Sequence, residues 1–152
     1  MSGNQIKCLS LNINEGKLLL PNAAVAEIVP IKNIINVANK PAWMLGYLDW
    51  RGNSVPLISF EAMGDVRMPS LASGTIKAAV LFSIGEDKDF PYISILVQGA
   101  PDIINIKEED ILSNKEDVAH PAIEDRVMIA EEIYDIMNIE KLEEMVKEVM
   151  TY

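Results

Sequence analysis

The residue types that carry most protein chemistry are scarce in this chain. One histidine, His120, and one cysteine, Cys8, stand far apart in a sequence of 152 residues. A Cys-His nucleophile would need these two to meet in space, and a zinc site of His and Cys ligands cannot be assembled from them. His120 directly precedes Pro121 and reads as a surface or loop residue. No G-x-S-x-G elbow, P-loop or G-x-G-x-x-G turn occurs. Carboxylates are plentiful, so a paired-acid hydrolase has material, but abundance gives no pair a special standing. The clusters Glu108-Glu109-Asp110 and Glu116-Asp117 lack the ligand spacing and central glycine of a calcium loop, and read as solvated loop. The expectation is a protein that is not an enzyme and holds no cofactor or metal.

What remains is recognition chemistry, concentrated between Pro41 and Pro56 in P-A-W-M-L-G-Y-L-D-W-R-G-N-S-V-P. Two tryptophans, a glycine and an Arg51-Gly52 pair share this segment, where plain core would be aliphatic. Glu27 is the second conspicuous residue, a carboxylate in the aliphatic run A-V-A-E-I-V-P. Strands disfavour glutamate. It is either an outward-facing surface group or one placed to meet a cation, within the chain or on a partner. The eight methionines read mainly as core filling, with Met145 and Met150 on a helical stripe.

Charge separates the possible partners. Asp102 to Glu148 holds fifteen acids against five bases, while residues 1–101 hold eight of each, so the formal −10 lies entirely in the second part. Such a surface repels phosphate backbones and anionic headgroups, which makes nucleic acid and membrane surfaces poor partners and a basic protein surface a better one. The first residues have no signal-peptide core, and no apolar run is long enough to span a bilayer. The lone cysteine suits a reducing cytoplasm.

The elements that must position these groups are mostly strands. The chain length suits one domain. Ile6–Ile13 alternates, with Lys7, Leu9, Leu11 and Ile13 on one side, and Asn14-Glu15-Gly16 turns it into a return strand, Lys17–Pro21. Ala24–Pro30 is a third strand, with Val25, Glu27 and Val29 on one face. Ala42–Leu45 reads as a helical turn closed by Gly46. Tyr47–Trp50 and Val55–Phe60 form a hairpin with Leu48, Trp50, Val55 and Leu57 on one apolar face. A Gly52-Asn53 turn would put Pro56 at a hydrogen-bonded site, so a wider loop from Arg51 to Val55 is expected. Residues 61–77 read as a linker between two lobes. Strands resume at Ala78–Ile84 and Tyr92–Val97, with Gly99 and Pro101 as breaks before Ile103–Ile106. Val127–Ile139 holds one or two further strands, the second Ile133–Met137. From Asn138, an N-cap, the apolar period becomes that of a helix: Ile139, Leu142, Met145, Val146, Val149 and Met150. Short strands at this spacing predict an all-β sandwich or barrel with a C-terminal helix.

V-A-E-I-V at 25–29, the P-A-W run and G-Y-L-D-W-R-G-N-S-V-P-L-I at 46–58 resemble the CheW-like domain of bacterial chemosensory systems, and the resemblance covers nearly the whole chain. It implies a mainly β fold of two five-stranded SH3-like barrel lobes, here about 15–75 and 76–138, followed by a helix at 139–150. It also implies a cytoplasmic adaptor, recruited to receptor arrays, that joins the regulatory domain of a CheA-type histidine kinase to the cytoplasmic tip of methyl-accepting chemoreceptors. The matching positions are Val25, Glu27, Ile28, Gly46, Arg51, Gly52, Val55 and Pro56, which the resemblance makes partner-binding or architecture-setting. The second half departs from the family pattern: its strand reads I-S-I-L-V-Q-G-A, with Ser94, Gln98 and Ala100 in place of the usual glycine and Val-Asp. In this it is similar to the accessory CheW-like proteins of systems controlling type IV pili and twitching. An accessory protein that binds only another CheW-like domain, and a small-ligand β-barrel, are the alternatives.

Overall fold

The structure, a computed structural model, describes residues 5–13, 16–31, 34–37, 39–63, 76–84, 91–113 and 120–150. Most of the expected linker, the loop after Gly85, Glu116 and Asp117 lie outside these residues. The strands are β1 (Gln5–Ile13), β2 (Gly16–Pro21), β3 (Val25–Pro30), β4 (Ile34–Ile35), β5 (Met44–Trp50), β6 (Asn53–Ile58), β7 (Ile76–Phe82), β8 (Tyr92–Lys107), β9 (Leu112–Ser113), β10 (Ile123–Ile129) and β11 (Glu132–Met137). Two helices, α1 (Phe60–Met63) and α2 (Ile139–Met150), complete the set.

The strands form two β-barrel-like lobes with the same internal order. One runs β4-β5-β6-β8-β7-β3 and the other β9-β10-β11-β2-β1-β8, each with one parallel contact, β6 on β8 and β11 on β2. Each holds five longer strands and a two-residue edge strand. This matches the expected architecture but not a division of the chain at residue 76. The β1–β2 hairpin lies beyond the first lobe and completes the second, while β7 and the first half of β8 complete the first. Gly99 and Pro101 do not break β8. Gly99, at φ +64, bends a sixteen-residue strand that serves both lobes.

Strands shared in this way are buried on both faces, and that overrides the alternation read from β1. Cys8, Leu9, Ser10 and Leu11 are all buried. Leu9 and Leu11 face a central cluster between the lobes with Leu18, Leu20, Ile58, Phe60, Leu81, Ile93 and Ile95, whereas Cys8 faces the second lobe's interior with Leu19, Ile106, Val127 and Tyr134. Helix α2 docks on the central cluster through Leu142 and Val146, on the apolar stripe visible in the sequence. Asn138 caps it as expected, its side-chain oxygen accepting from the Lys141 N–H at 3.0 Å.

His120 is half-buried and structural rather than a surface group. Its Nδ1 accepts from the Ala122 N–H at 3.0 Å, which leaves the proton on Nε2 to donate to the Phe60 carbonyl at 2.6 Å. Its ring stacks on Phe60 with centroids 4.0 Å apart. Burial pushes its pKa below the ordinary histidine value.

Candidate functional site

The Pro41–Pro56 segment folds differently from its expected local structure. Ala42–Leu45 is not one helical turn: Ala42-Trp43 form a tight turn closed by the Met44 N–H on the Pro41 carbonyl at 2.9 Å, and β5 begins at Met44, paired with β6 apart from an irregularity at Leu45. The loop at Arg51 is also tighter than expected. Trp50 pairs with Asn53, so the turn is Arg51-Gly52 alone, with φ +48 and +81, the two positive angles of a type I′ hairpin. This register places Pro56 opposite Tyr47, one rung beyond the hydrogen-bonded rung of Leu48 and Val55, at a site that asks for no N–H toward β5. Pro56 is therefore compatible with the two-residue turn, and the wider loop expected from Arg51 to Val55 does not form. The set of inward side chains is unaffected, since Leu48, Trp50, Val55 and Leu57 share a face in either register, and all four are buried.

A bulge in β3 re-aims the other conspicuous residue. Val25 pairs with Leu81 and Glu27 with Val80, leaving Ala26 as the extra residue. Val25 and Ile28 therefore pack on the central cluster, while Val29 turns into the first lobe, so Val25, Glu27 and Val29 do not share a face as the plain alternation predicts. Glu27 reaches the end of that lobe's barrel. Its Oε1 accepts from Trp50 Nε1 at 2.9 Å and from the Arg51 guanidinium at 3.2 Å. The cation that a strand glutamate implied is thus Arg51 of the same chain. The guanidinium also lies over the Trp50 ring, 4.9 Å from its centroid.

Behind this pair the barrel end is closed by aromatics. Trp50 meets Tyr92 edge to face at 4.8 Å, and Tyr92 in turn meets Phe82, which is 46% exposed. Phe82 and Tyr92 were not singled out in the sequence. Their only signal was their position at the two facing ends of β7 and β8, which shows once the pair Phe82–Tyr92 is known. The result is a solvent-facing ion pair on an apolar floor. The Arg51–Glu27 bridge has side chains 69% and 41% exposed, so it adds little to stability.

The eight positions separate accordingly. Arg51 and Glu27 meet at the surface with Gly52 exposed in the same turn, and Val25 and Ile28 are half-buried against the central cluster. Gly46, Val55 and Pro56 are buried and set the architecture. At Gly46, with φ +147, a Cβ would stand 2.3 Å from the Ile35 carbonyl oxygen. The Pro56 carbonyl accepts the buried Ser94 hydroxyl at 2.8 Å, joining β6 to β8. Ser94 is one of the departures from the family pattern, and its role here is internal.

Among the described residues no group of histidine, cysteine and acids is arranged to hold a metal. An open cavity of about 360 Å³ lies on α2, lined by Ile84, Glu140, Glu143, Glu144 and Lys147, away from Arg51. Among the same residues no helix is long and apolar enough to cross a membrane.

The site is thus an exposed charged turn over an aromatic floor at one end of a barrel-like lobe. The model of the CheW-like domain matches residues 7–147, and the chain belongs to that family. The fold is also that of a solved structure, the scaffolding protein TtCheW from Thermoanaerobacter tengcongensis. The two share a TM-score of 0.74 and 16% identity, over 88% of this chain and 89% of that one. A search of curated proteins by sequence found no significant match.

Proposed function

We propose that this protein is a non-enzymatic adaptor of a bacterial chemosensory system, coupling chemoreceptor tips to the regulatory domain of a CheA-type histidine kinase within cytoplasmic, membrane-associated arrays. The observation that carries the reading is the family match across residues 7–147. The Arg51–Glu27 pair supports it: it is a conspicuous polar feature of the sequence that the fold leaves at the surface, at a barrel end that a second barrel or a helix could contact. Arg51 is the polar anchor, Trp50 and Phe82 the apolar floor, and Glu27 holds the guanidinium in place until a partner engages it.

The test is a binding measurement between the purified protein and the kinase regulatory domain. Arg51→Ala should weaken binding by about tenfold, the range for losing one interface arginine, with the melting temperature nearly unchanged. Unchanged affinity removes Arg51 from the account. Pilus control is the finer setting we propose for the system, since the second-half strand departs from the usual chemotaxis pattern. Loss of twitching in a deletion strain supports that setting, and normal twitching with lost chemotaxis removes it.

A further inference from the structure

The second lobe carries an exposed apolar row that the adaptor reading does not use. In the β9-β10-β11 sheet, Met128 lies directly opposite Leu112 on one side and Ile133 on the other. Their neighbours Val127, Ile129 and Tyr134 point into the lobe, so the row is on the outer face. Leu112 is 61% and Ile133 46% exposed, with Met128 half-buried between them. Three apolar side chains aligned across three strands at an outer face are not accounted for by packing.

The surroundings of the row are acidic. At one side stands the turn Ala130-Glu131 with Glu132, all exposed, and Lys17 answers Glu132 at 3.3 Å. Exposed Glu108, Glu109 and Asp110 immediately precede β9. One step further along the sheet the cation Arg126 is engaged by Asp135 through two hydrogen bonds, at 2.6 and 3.3 Å. An apolar stripe rimmed by carboxylates favours an apolar stripe rimmed by lysine or arginine.

The direction of the row selects the partner's conformation. It runs across the strands, whose spacing of about 4.8 Å makes its length about 9.6 Å. An α-helix laid along it repeats every 5.4 Å or so and advances about 10.5 Å in seven residues, so side chains at i, i+3 or i+4, and i+7 meet the three residues in turn. We infer that the outer face of β9-β10-β11 docks a basic amphipathic helix, with Leu112, Met128 and Ile133 as the apolar contacts and Glu131 as the main charge contact. This surface is separate from Arg51 and binds independently of it.

The probe is a fluorescein-labelled peptide of about fifteen residues, long enough to form a helix on the surface, made of Leu, Lys and Ala with the leucines at i, i+4 and i+7. Its binding to the full-length protein is followed by fluorescence anisotropy. The wild type should bind saturably, and Ile133→Ser or Leu112→Ser should weaken binding by about fivefold, the worth of one half-buried aliphatic contact. Glu131→Lys should weaken it by a similar factor, and a peptide with Glu for Lys should not bind. Arg51→Ala should bind as the wild type does, which keeps the test independent of the adaptor reading. The inference is overturned if the wild type shows no saturable binding, if both serine variants bind normally, or if a peptide with the leucines scrambled off the stripe binds equally well. Melting curves show whether the serine variants are folded; if either melts early, Glu131→Lys, at an exposed turn, decides the matter.

Discussion

Gly46→Ala separates architecture from recognition at the heart of the motif. The new Cβ would lie 2.3 Å from the Ile35 carbonyl oxygen and 2.9 Å from Ile34 Cγ2, well inside any real contact. Ile34 and Ile35 are the whole of β4, an edge strand paired with β5 through Ile34–Leu48 and Ile35–Tyr47, so β4 must retreat by roughly 1 Å or leave. The backbone at φ +147 adds strain of about 1 kcal/mol or more for any residue with a Cβ. Losing the backbone hydrogen bonds of one or two rungs costs about 1 kcal/mol each. Together these give about 3 kcal/mol, which for a domain of this size lowers the melting temperature by about 6–12 °C. Urea and thermal unfolding followed by circular dichroism measure both quantities. Arg51→Ala provides the contrast, since it should bind less and melt normally. If Gly46→Ala unfolds within about 0.5 kcal/mol of the wild type, the close approach of β4 is wrong.

Two further substitutions test the joints around the helix. Glu143 is buried in α2, where it accepts from the Ser83 hydroxyl at 2.6 Å and the Ile84 N–H at 3.0 Å, and faces Lys147 at 3.4 Å. Glu143→Ala should destabilise by about 2–3 kcal/mol in urea unfolding, because two donors and a cation lose their acceptor; a loss under about 0.5 kcal/mol would refute this role. His120 makes stability depend on pH. Its folded pKa lies below its unfolded value of about 6.5, so the unfolded chain takes up the proton first. The contribution is complete above that value and is lost as pH falls through the folded pKa. His120→Gln should flatten the fall in urea midpoint between about pH 7.5 and 5.5, and an unaltered slope would clear the histidine.

Much of this protein was legible one residue at a time. The α2 stripe and its Asn138 cap, the shared face of Leu48, Trp50, Val55 and Leu57, and Arg51 at an exposed turn all follow from short-range periodicity and turn chemistry. The faces survived an error in turn length because moving the turn by one residue changes each pairing partner by two, which keeps side chains on their side of the sheet. One local reading failed where a rare conformation intervened: the bulge at Ala26 reversed the alternation of β3. The turn between β10 and β11 was not legible, because Ala130-Glu131 turns with φ of +50 and +68 although neither residue is glycine or asparagine.

The sequence by itself determined that the chain is mainly strands closed by one amphipathic helix, that it has a single histidine and a single cysteine, and that Arg51 and Glu27 stand out. Tertiary structure alone decided that the β1–β2 hairpin completes the distant lobe, that β8 serves both lobes, and that Glu27 and Arg51 are partners. The reason is range. Alternation and capping are set by neighbours a few residues apart, whereas the pairing of Leu18 with Asp135, or of Leu57 with Ser94, depends on which buried surfaces fit once the chain has closed on itself.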